Sequence, residues 1–138
     1  MPNQSDVCSE VGCPGPSSGR RHLPDTRRSI THRAVIHDHE FKRVKLFVIV
    51  GLYDDGTPGE LFLSADQSGT LLDGFCDAWA ISVSLSLQAG IPLSAIVKKF
   101  AFTEFAPNGM TENEDIPFAK SIPDYVVQWL ALQFKINL

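Results

Sequence analysis

The sequence predicts an α+β domain, in which an antiparallel sheet of about three strands precedes three helices that pack on one face of it. Two observations predict this fold class. Apolar residues recur with a period of two between Ser29 and Ala65, and with a period near 3.6 from Leu71 onward. The turn Asp54-Asp55-Gly56, between two apolar stretches, is typical of a β-hairpin. A chain of 138 residues, 43% of them hydrophobic, is long enough to bury one core.

Three segments have the patterns of strands. Ser29–Ile36 alternates apolar with polar residues, and Val44–Leu52 is a dense apolar run of the kind found in buried strands. Glu60–Ala65 is the third strand. We expect it to pair with Val44–Tyr53, because glycine readily takes the positive φ that the intervening turn requires.

Three later segments have the patterns of helices. The longest, Leu71–Gln88, spaces its apolar residues three and four apart and ends before Gly90, a typical C-terminal cap. A short helix, Leu93–Phe100, follows a proline, and Ser121 is the expected N-cap of a last helix. The segment Phe102–Glu114 is predicted to be irregular.

The first 22 residues are predicted to be a flexible tail, and residues 23–138 to form the domain. The start of the chain lacks the basic and apolar regions of a secretory signal. The longest apolar stretch, around Ala78–Leu87, is interrupted by serines and is too short to cross a bilayer. We therefore expect a cytoplasmic protein that does not enter a membrane.

The three cysteines do not suggest a disulfide framework, because their number is odd and no secretory signal precedes them. Cys76 belongs to an apolar helical pattern, and we expect it to be a buried hydrophobic residue. Cys8 and Cys13 are interpreted as free thiols of the tail. The alternatives are a redox pair or half of a zinc site, for which no second cysteine pair exists.

Basic residues are concentrated in one segment. Residues 20–45 hold eight Lys or Arg and three acids, whereas residues 46–138 hold four Lys and eleven acids. In a chain of net charge −4, this pattern favours a localised anion site and argues against an extended nucleic-acid surface.

Two features are suited to an anion. Ser68-Gly69-Thr70 precedes the longest helix, where N–H groups and the helix dipole attract negative charge, although an ordinary N-cap also explains it. Arginines precede and occupy the first strand, although a solvated edge strand also keeps charges, which prevent aggregation. On that strand Thr31 and Arg33 share one face and His32 takes the other. We expect the two features to meet at one phosphate-bearing ligand, within one chain or across subunits. The predicted ligand-binding residues are Arg27, Arg28, Thr31, His32, Arg33, Ser68, Gly69 and Thr70.

The sequence contains no comparable pattern for a metal site or a catalytic site. His37 and His39 form the one close histidine pair, and no zinc motif accompanies them, so we expect neither a metal nor a cofactor. Lys120, Asp124 and Tyr125 are able to serve acid–base chemistry, but helix capping explains Asp124 more simply. We predict no catalytic residue.

Four stretches carry a resemblance to a known family: Pro24–His32, Val50–Leu63, Ala119–Tyr125 and Trp129–Ala131. In this order they resemble the C-terminal domain of adenosylcobalamin (vitamin B12)-dependent ribonucleotide reductases, also found alone as the TSCPD-domain family. The resemblance runs from about Leu23 to the C-terminus, and the remaining residues cannot hold the reductase's catalytic barrel or cobalamin site. Where the family motif reads Thr-Ser-Cys-Pro-Asp, this chain has Ile122 in place of the cysteine.

The resemblance implies two possible functions. The first is a stand-alone, non-catalytic module that binds a nucleotide or similar phosphate ligand, and that regulates nucleotide metabolism or sequesters a cyclic or signalling nucleotide. The second is an accessory subunit or fragment of a split adenosylcobalamin-dependent ribonucleoside-diphosphate reductase, whose partner is the catalytic subunit in deoxyribonucleotide synthesis. A separate enzymatic activity is the weakest hypothesis, because the sequence offers no nucleophile–base pair.

The helices have apolar residues beyond those that one core needs. Trp79 and Trp129 lie on apolar helical faces, and we expect both to be substantially buried. Other apolar residues of the longest helix lie off its main apolar face, which predicts a homo-oligomer. These residues are Leu71, Phe75, Ala78, Ile81 and Leu85.

Overall fold

A computed structural model describes residues 19–66 and 69–138. It confirms the predicted α+β class, with helices that follow and cover an antiparallel sheet. In chain order, the elements are β1 (Ser29–Asp38), β2 (Lys42–Leu52), β3 (Pro58–Ala65), α1 (Leu71–Gln88), α2 (Leu93–Phe100), β4 (Gly109–Thr111), β5 (Phe118–Ala119) and α3 (Ile122–Gln133).

The sheet has the strand order β3-β2-β1-β4-β5. β1 pairs with β2 along its whole length, from Ser29 opposite Gly51 to Asp38 opposite Lys42. The predicted hairpin is confirmed: β2 and β3 are antiparallel neighbours, and Gly56 has a φ of +85° in the turn between them. β4, in contrast, reaches only the far end of β1, so most of β1 has a strand on one side only.

The predicted strand count of about three was too low, because β4 and β5 add two strands of three and two residues. Strands this short show no hydrophobic period, and β4 lies in the segment predicted to be irregular. Tertiary contacts place it instead. Asp38 accepts a hydrogen bond from the Asn108 N–H at 2.8 Å. Gly109 then approaches the His37 carbonyl so closely that a Cβ would overlap it.

All three helices contribute to one core on one face of the sheet. The even-numbered residues of β2 from Val44 to Val50 point into it, whereas the odd-numbered ones between Arg43 and Ile49 are partly or fully exposed. Cys76 is buried in α1, as predicted. Representative core residues are Val44, Leu46, Val48, Val50, Cys76, Ala80, Val83, Ile96, Val97, Ile122 and Val126.

The two tryptophans differ in burial. Trp129 of α3 is 4% exposed, which confirms the prediction for that residue. Trp79 of α1 is only partly buried and packs edge-to-face on Phe100, with ring centroids 5.4 Å apart. In the described part of the chain, every helix is too short or too polar to cross a lipid bilayer.

The start of α3 is held by Asp124, whose side chain is fully buried. Ser121 caps the helix as predicted, since its hydroxyl accepts from the Asp124 N–H at 3.1 Å. The Asp124 carboxylate accepts from the backbone N–H groups of Phe102 at 2.6 Å and Lys120 at 2.9 Å, and from the Gln128 side chain at 2.8 Å. One carboxylate therefore joins the segment after α2, the end of β5 and the first turns of α3.

We expect Asp124→Ala to lower the free energy of unfolding by about 3 kcal/mol or more, since each hydrogen bond to a charged acceptor contributes about 1.5–3 kcal/mol. Urea denaturation measures this loss. The matched control is Asp77→Ala, an exposed α1 carboxylate, for which we expect a change of about 0.5 kcal/mol or less. Equal stability of the two variants would contradict a structural role for Asp124.

Candidate functional site

Arg27 is already bonded to a carboxylate of the same chain. Its Nη2 lies 3.0 Å from Glu60 Oε2, and its Nε bonds the other oxygen. This pairing raises the pKa of Arg27. Glu60 is buried in β3 and fills the space above Gly51, where a Cβ would overlap it. Arg27 thus holds residues 20–28, which we call the N-terminal arm, against the sheet. Its guanidinium N–H groups are already bonded to the Glu60 carboxylate.

Other arginines of the basic segment are also bonded within the chain. Arg20, placed in the tail by the sequence, bonds the Gln88 side chain. The Arg21 guanidinium lies 3.8 Å from the centroid of the Tyr53 ring and 3.8 Å from the Asp55 carboxylate. Arg28 lines a separate cleft beside the β2–β3 turn. The local excess of positive charge is therefore partly neutralised before any ligand binds.

The start of α1 has the contacts of an N-cap. The Thr70 hydroxyl accepts from the Asp73 N–H at 3.3 Å. The Asp73 carboxylate accepts from the N–H groups of Gly69 and Ala65, each at 3.4 Å. A protein carboxylate thus occupies part of the position in which an external anion was expected. Ser68 lies outside the described residues, and ligand binding at this helix start stays a prediction.

Arg28 and the start of α1 lie near opposite ends of β2. The Arg28 carbonyl accepts from the Leu52 N–H, at one end of β2. The segment that leads to Gly69 starts near the other end, where the Asp66 N–H donates to the Lys45 carbonyl. At about 3.3 Å per residue, the seven residues from Lys45 to Leu52 span about 23 Å. Arg28 is therefore distant from Gly69 within one chain, whereas Arg33 lies opposite Phe47, whose partner in β3 is Ser64. A site shared by these arginines and the start of α1 stays a prediction.

Thr31 and Arg33 lie on the sheet face opposite the core, as their alternation predicts. Arg33 is directly opposite Phe47 of β2, and Lys45, two residues before Phe47, has its Nζ 5.8 Å from that ring. Arg43 lies opposite His37 on the same face. We call Arg33, Arg43, Lys45 and Phe47 the cationic face. Among the described residues, none of these three cations has a carboxylate within 4 Å.

The sequence contained a signal for this face that residue types alone did not reveal. Arg43, Lys45 and Phe47 alternate with buried valine and leucine along β2, so one register places them beside Arg33. These residues form a cationic surface with Arg33 only in the register in which β1 and β2 pair. Arg33 and Thr31 were predicted site residues, whereas the three residues of β2 were not.

His32 takes the other face of β1, as predicted, and contacts α3. Its ring stacks on Trp129 with centroids 5.0 Å apart, and its Nε2 lies 2.8 Å from the Tyr125 hydroxyl. The Asn113 amide donates to the same hydroxyl at 3.1 Å. Burial lowers the pKa of His32 and raises that of Tyr125. Burial thus favours the uncharged form of the His32 ring, and its Nε2 shares one hydrogen bond with the Tyr125 hydroxyl.

A cavity of about 580 Å³ opens beside the unpaired edge of β1. We call it the edge cleft. His32, Tyr125 and Trp129 form one wall, and the loop after β4 forms another. That loop carries Glu112, Glu114 and Asp115, so the cleft is more acidic than basic although Arg33 also lines it. The loop lies in the segment predicted to be irregular, where sequence patterns gave no indication of a site.

Two further predictions concern metals and thiols. Among residues 19–66 and 69–138, no three His, Cys, Asp or Glu side chains are grouped to hold a metal ion. Burial, together with the nearby Asp73 charge, raises the pKa of Cys76 to about 11, so this thiol is unreactive at neutral pH. Cys8 and Cys13 lie outside the described residues.

Comparison with known proteins agrees with the resemblance found in the sequence. The model of the TSCPD domain matches residues 18–134. A protein of Rhodopirellula baltica named vitamin B12-dependent ribonucleotide reductase is 44% identical over 115 residues, which is 83% of this chain and 11% of that protein. Proteins of the same name match at 40% identity over 116 residues in Bradyrhizobium diazoefficiens and at 38% over 115 residues in Streptomyces coelicolor.

These matches cover 83% of this chain in both cases, but 9% of the Bradyrhizobium protein and 11% of the Streptomyces protein. The chain thus spans about a tenth of the length of these relatives. No solved structure matches it. Because the family model covers nearly the whole described domain, the chain belongs to the TSCPD domain family.

Proposed function

We propose that this TSCPD domain is a non-catalytic module that binds a nucleotide or a similar phosphate ligand on its cationic face. The observation that supports the proposal is the grouping of Arg33, Arg43 and Lys45 around Phe47 on one exposed sheet face. A guanidinium group donates two hydrogen bonds to the oxygens of a phosphate, and an exposed aromatic ring on a sheet can stack on a nucleotide base. The Thr31 hydroxyl, on the same face, is an additional polar partner for the ligand.

The charge of this face favours an anionic ligand over a second copy of the chain. A two-fold contact through the same patch would bring the three cations of each subunit toward those of the other. Such like-charge contacts are unfavourable, whereas a phosphate would neutralise them. Phe62, 48% exposed and two strands from β1, extends the aromatic surface.

The names of the relatives support a nucleotide as the proposed class of ligand. They are called vitamin B12-dependent ribonucleotide reductases, and ribonucleotides are phosphate-bearing. In the first form of the proposal, the domain acts alone and regulates nucleotide metabolism or sequesters a cyclic or signalling nucleotide. In the second, it is an accessory subunit or fragment of a split ribonucleoside-diphosphate reductase and binds the catalytic subunit. The identity of 44% to part of a protein with that name is the reason to keep this second form as the alternative. Co-purification with a reductase subunit distinguishes the two.

We expect isothermal titration calorimetry with ADP to detect binding, and Arg33→Ala and Arg43→Ala each to weaken it about tenfold or more. The reason is that each variant removes a charged hydrogen bond of about 1.5–3 kcal/mol. Arg33→Lys should recover only part of the loss, because lysine keeps the charge but not the fork. Lys98→Ala, on the exposed end of α2, is the matched control. An affinity that is indifferent to Arg33 and Arg43 would contradict the proposed position.

Arg27→Ala is not a clean test of binding, since it leaves the buried Glu60 carboxylate without its partner. Arg27 and Arg28, both predicted ligand-binding residues, therefore have different surroundings. Arg28→Ala leaves the ion pair between Arg27 and Glu60 in place. It therefore tests whether the N-terminal arm contributes to nucleotide binding.

We also propose a homo-oligomer that forms through α1. Its apolar residues outside the core are exposed, from Leu71 at 78% and Phe75 at 68% to Ile81 at 53% and Leu85 at 46%. Together with the exposed Ala78, they recur every three to four residues over fifteen positions, so they form one apolar face about 21 Å long. Isolated soluble domains rarely expose a continuous apolar face of this length.

Light scattering at micromolar concentration should therefore give the mass of a dimer or higher oligomer. Phe75→Glu combined with Ile81→Glu should give a monomer, because both charges would be buried in the contact. Ile91→Glu changes an exposed apolar residue outside α1 and should leave the mass unchanged. A monomeric wild-type protein would refute the contact.

A further inference from the structure

β1 is an open sheet edge over half of its length. β4 pairs with it only at Ile36 and His37, and the Glu112 N–H then donates to the Val35 carbonyl at 3.3 Å. N-terminal to Val35, no strand in the described part of the chain lies beside β1 on that side. The edge from Ser29 to Arg33 is therefore free to accept another strand.

The register identifies the backbone groups that this edge presents. The Arg28 carbonyl bonds the Leu52 N–H of β2, so even-numbered residues turn their backbone groups toward β2. Val35, which is odd-numbered, turns its carbonyl toward β4. By the same alternation, Thr31 and Arg33 direct their N–H and C=O groups to the open edge. Neither proline nor a bulge interrupts β1 there.

The residues that line the edge cleft indicate which side chains a strand bound at this open edge would carry. Its loop holds three carboxylates, and Glu112 lies 3.5 Å from His37 Nε2. Glu114 and Asp115 have no cationic partner within 4 Å among the described residues. On the α3 side, Leu132 lines the same cleft and is 52% exposed. Unpaired carboxylates and an apolar contact thus lie beside a row of open backbone groups.

We propose that the β1 edge binds an extended polypeptide segment in which Lys or Arg alternates with apolar residues. The segment would add a strand through hydrogen bonds to Thr31 and Arg33, which is a common mode of peptide recognition. Its basic side chains would approach Glu114 and Asp115, and an apolar side chain would contact Leu132. The peptide would bond the backbone groups of Thr31 and Arg33 at the sheet edge, whereas the nucleotide proposed above would contact their side chains on the sheet face.

The probe is a fluorescein-labelled octapeptide of alternating Val and Lys, measured by fluorescence anisotropy against the full chain. Thr31→Pro removes one outward N–H and leaves the β1–β2 hydrogen bonds in place, whereas Thr31→Ala keeps the N–H. We expect Thr31→Ala to bind within about twofold of wild type, and Thr31→Pro to bind about tenfold or more weakly. Equal affinities for the two variants would overturn strand addition.

A second variant tests the charge preference and does not depend on the fold tolerating proline. Glu114→Gln with Asp115→Asn should weaken the Val-Lys peptide about tenfold and flatten its salt dependence. ADP binding should be unchanged in that variant, because both residues lie outside the cationic face. The proposal is wrong if an alternating Val-Glu peptide binds as tightly as Val-Lys. It is also wrong if sedimentation shows that the β1 edges of two copies pair and thereby exclude the peptide.

Discussion

The buried Asp124 carboxylate fixes the position of α3, which forms one wall of the edge cleft and packs on β1. It accepts backbone N–H groups from Phe102 and Lys120, and so sets where α3 begins relative to α2 and β5. α3 in turn places Tyr125 and Trp129 against His32 of β1. A buried carboxylate is costly unless its oxygens are bonded, and here three donors satisfy it. The same residue that resembles the aspartate of the family motif is therefore structural in this fold.

β1 connects the core, the cationic face and the edge cleft. Because its side chains alternate, His32 packs toward α3 while Thr31 and Arg33 face outward. Because its backbone groups also alternate, Thr31 and Arg33 are the residues that face the unpaired edge. In the two proposals, β1 would therefore offer the Arg33 side chain to the anionic ligand and main-chain groups to the extended peptide, so the two ligands would not share the same atoms.

The sequence was sufficient where a residue's role depended on its neighbours along the chain. α1 and α2 have the predicted bounds, and Ser121 caps α3 as expected, because caps and helical periods are local signals. The sequence was insufficient where a residue bonds a partner that is far away along the chain. Nothing near Arg27 indicates that Glu60, 33 residues later, would occupy its guanidinium. The position of β4 likewise depends on contacts with Asp38 and His37, which are distant in the sequence.

The most direct test of the cationic face is a ¹⁵N-resolved NMR titration of the full chain with ADP. The amide shifts should be concentrated at Arg33 and from Arg43 to Phe47, where cations and an aromatic ring surround the expected phosphate and base. Shifts confined to Gly69, Thr70 and Arg28, with the cationic face unaffected, would contradict that position. They would instead favour a site at the start of α1 and the N-terminal arm.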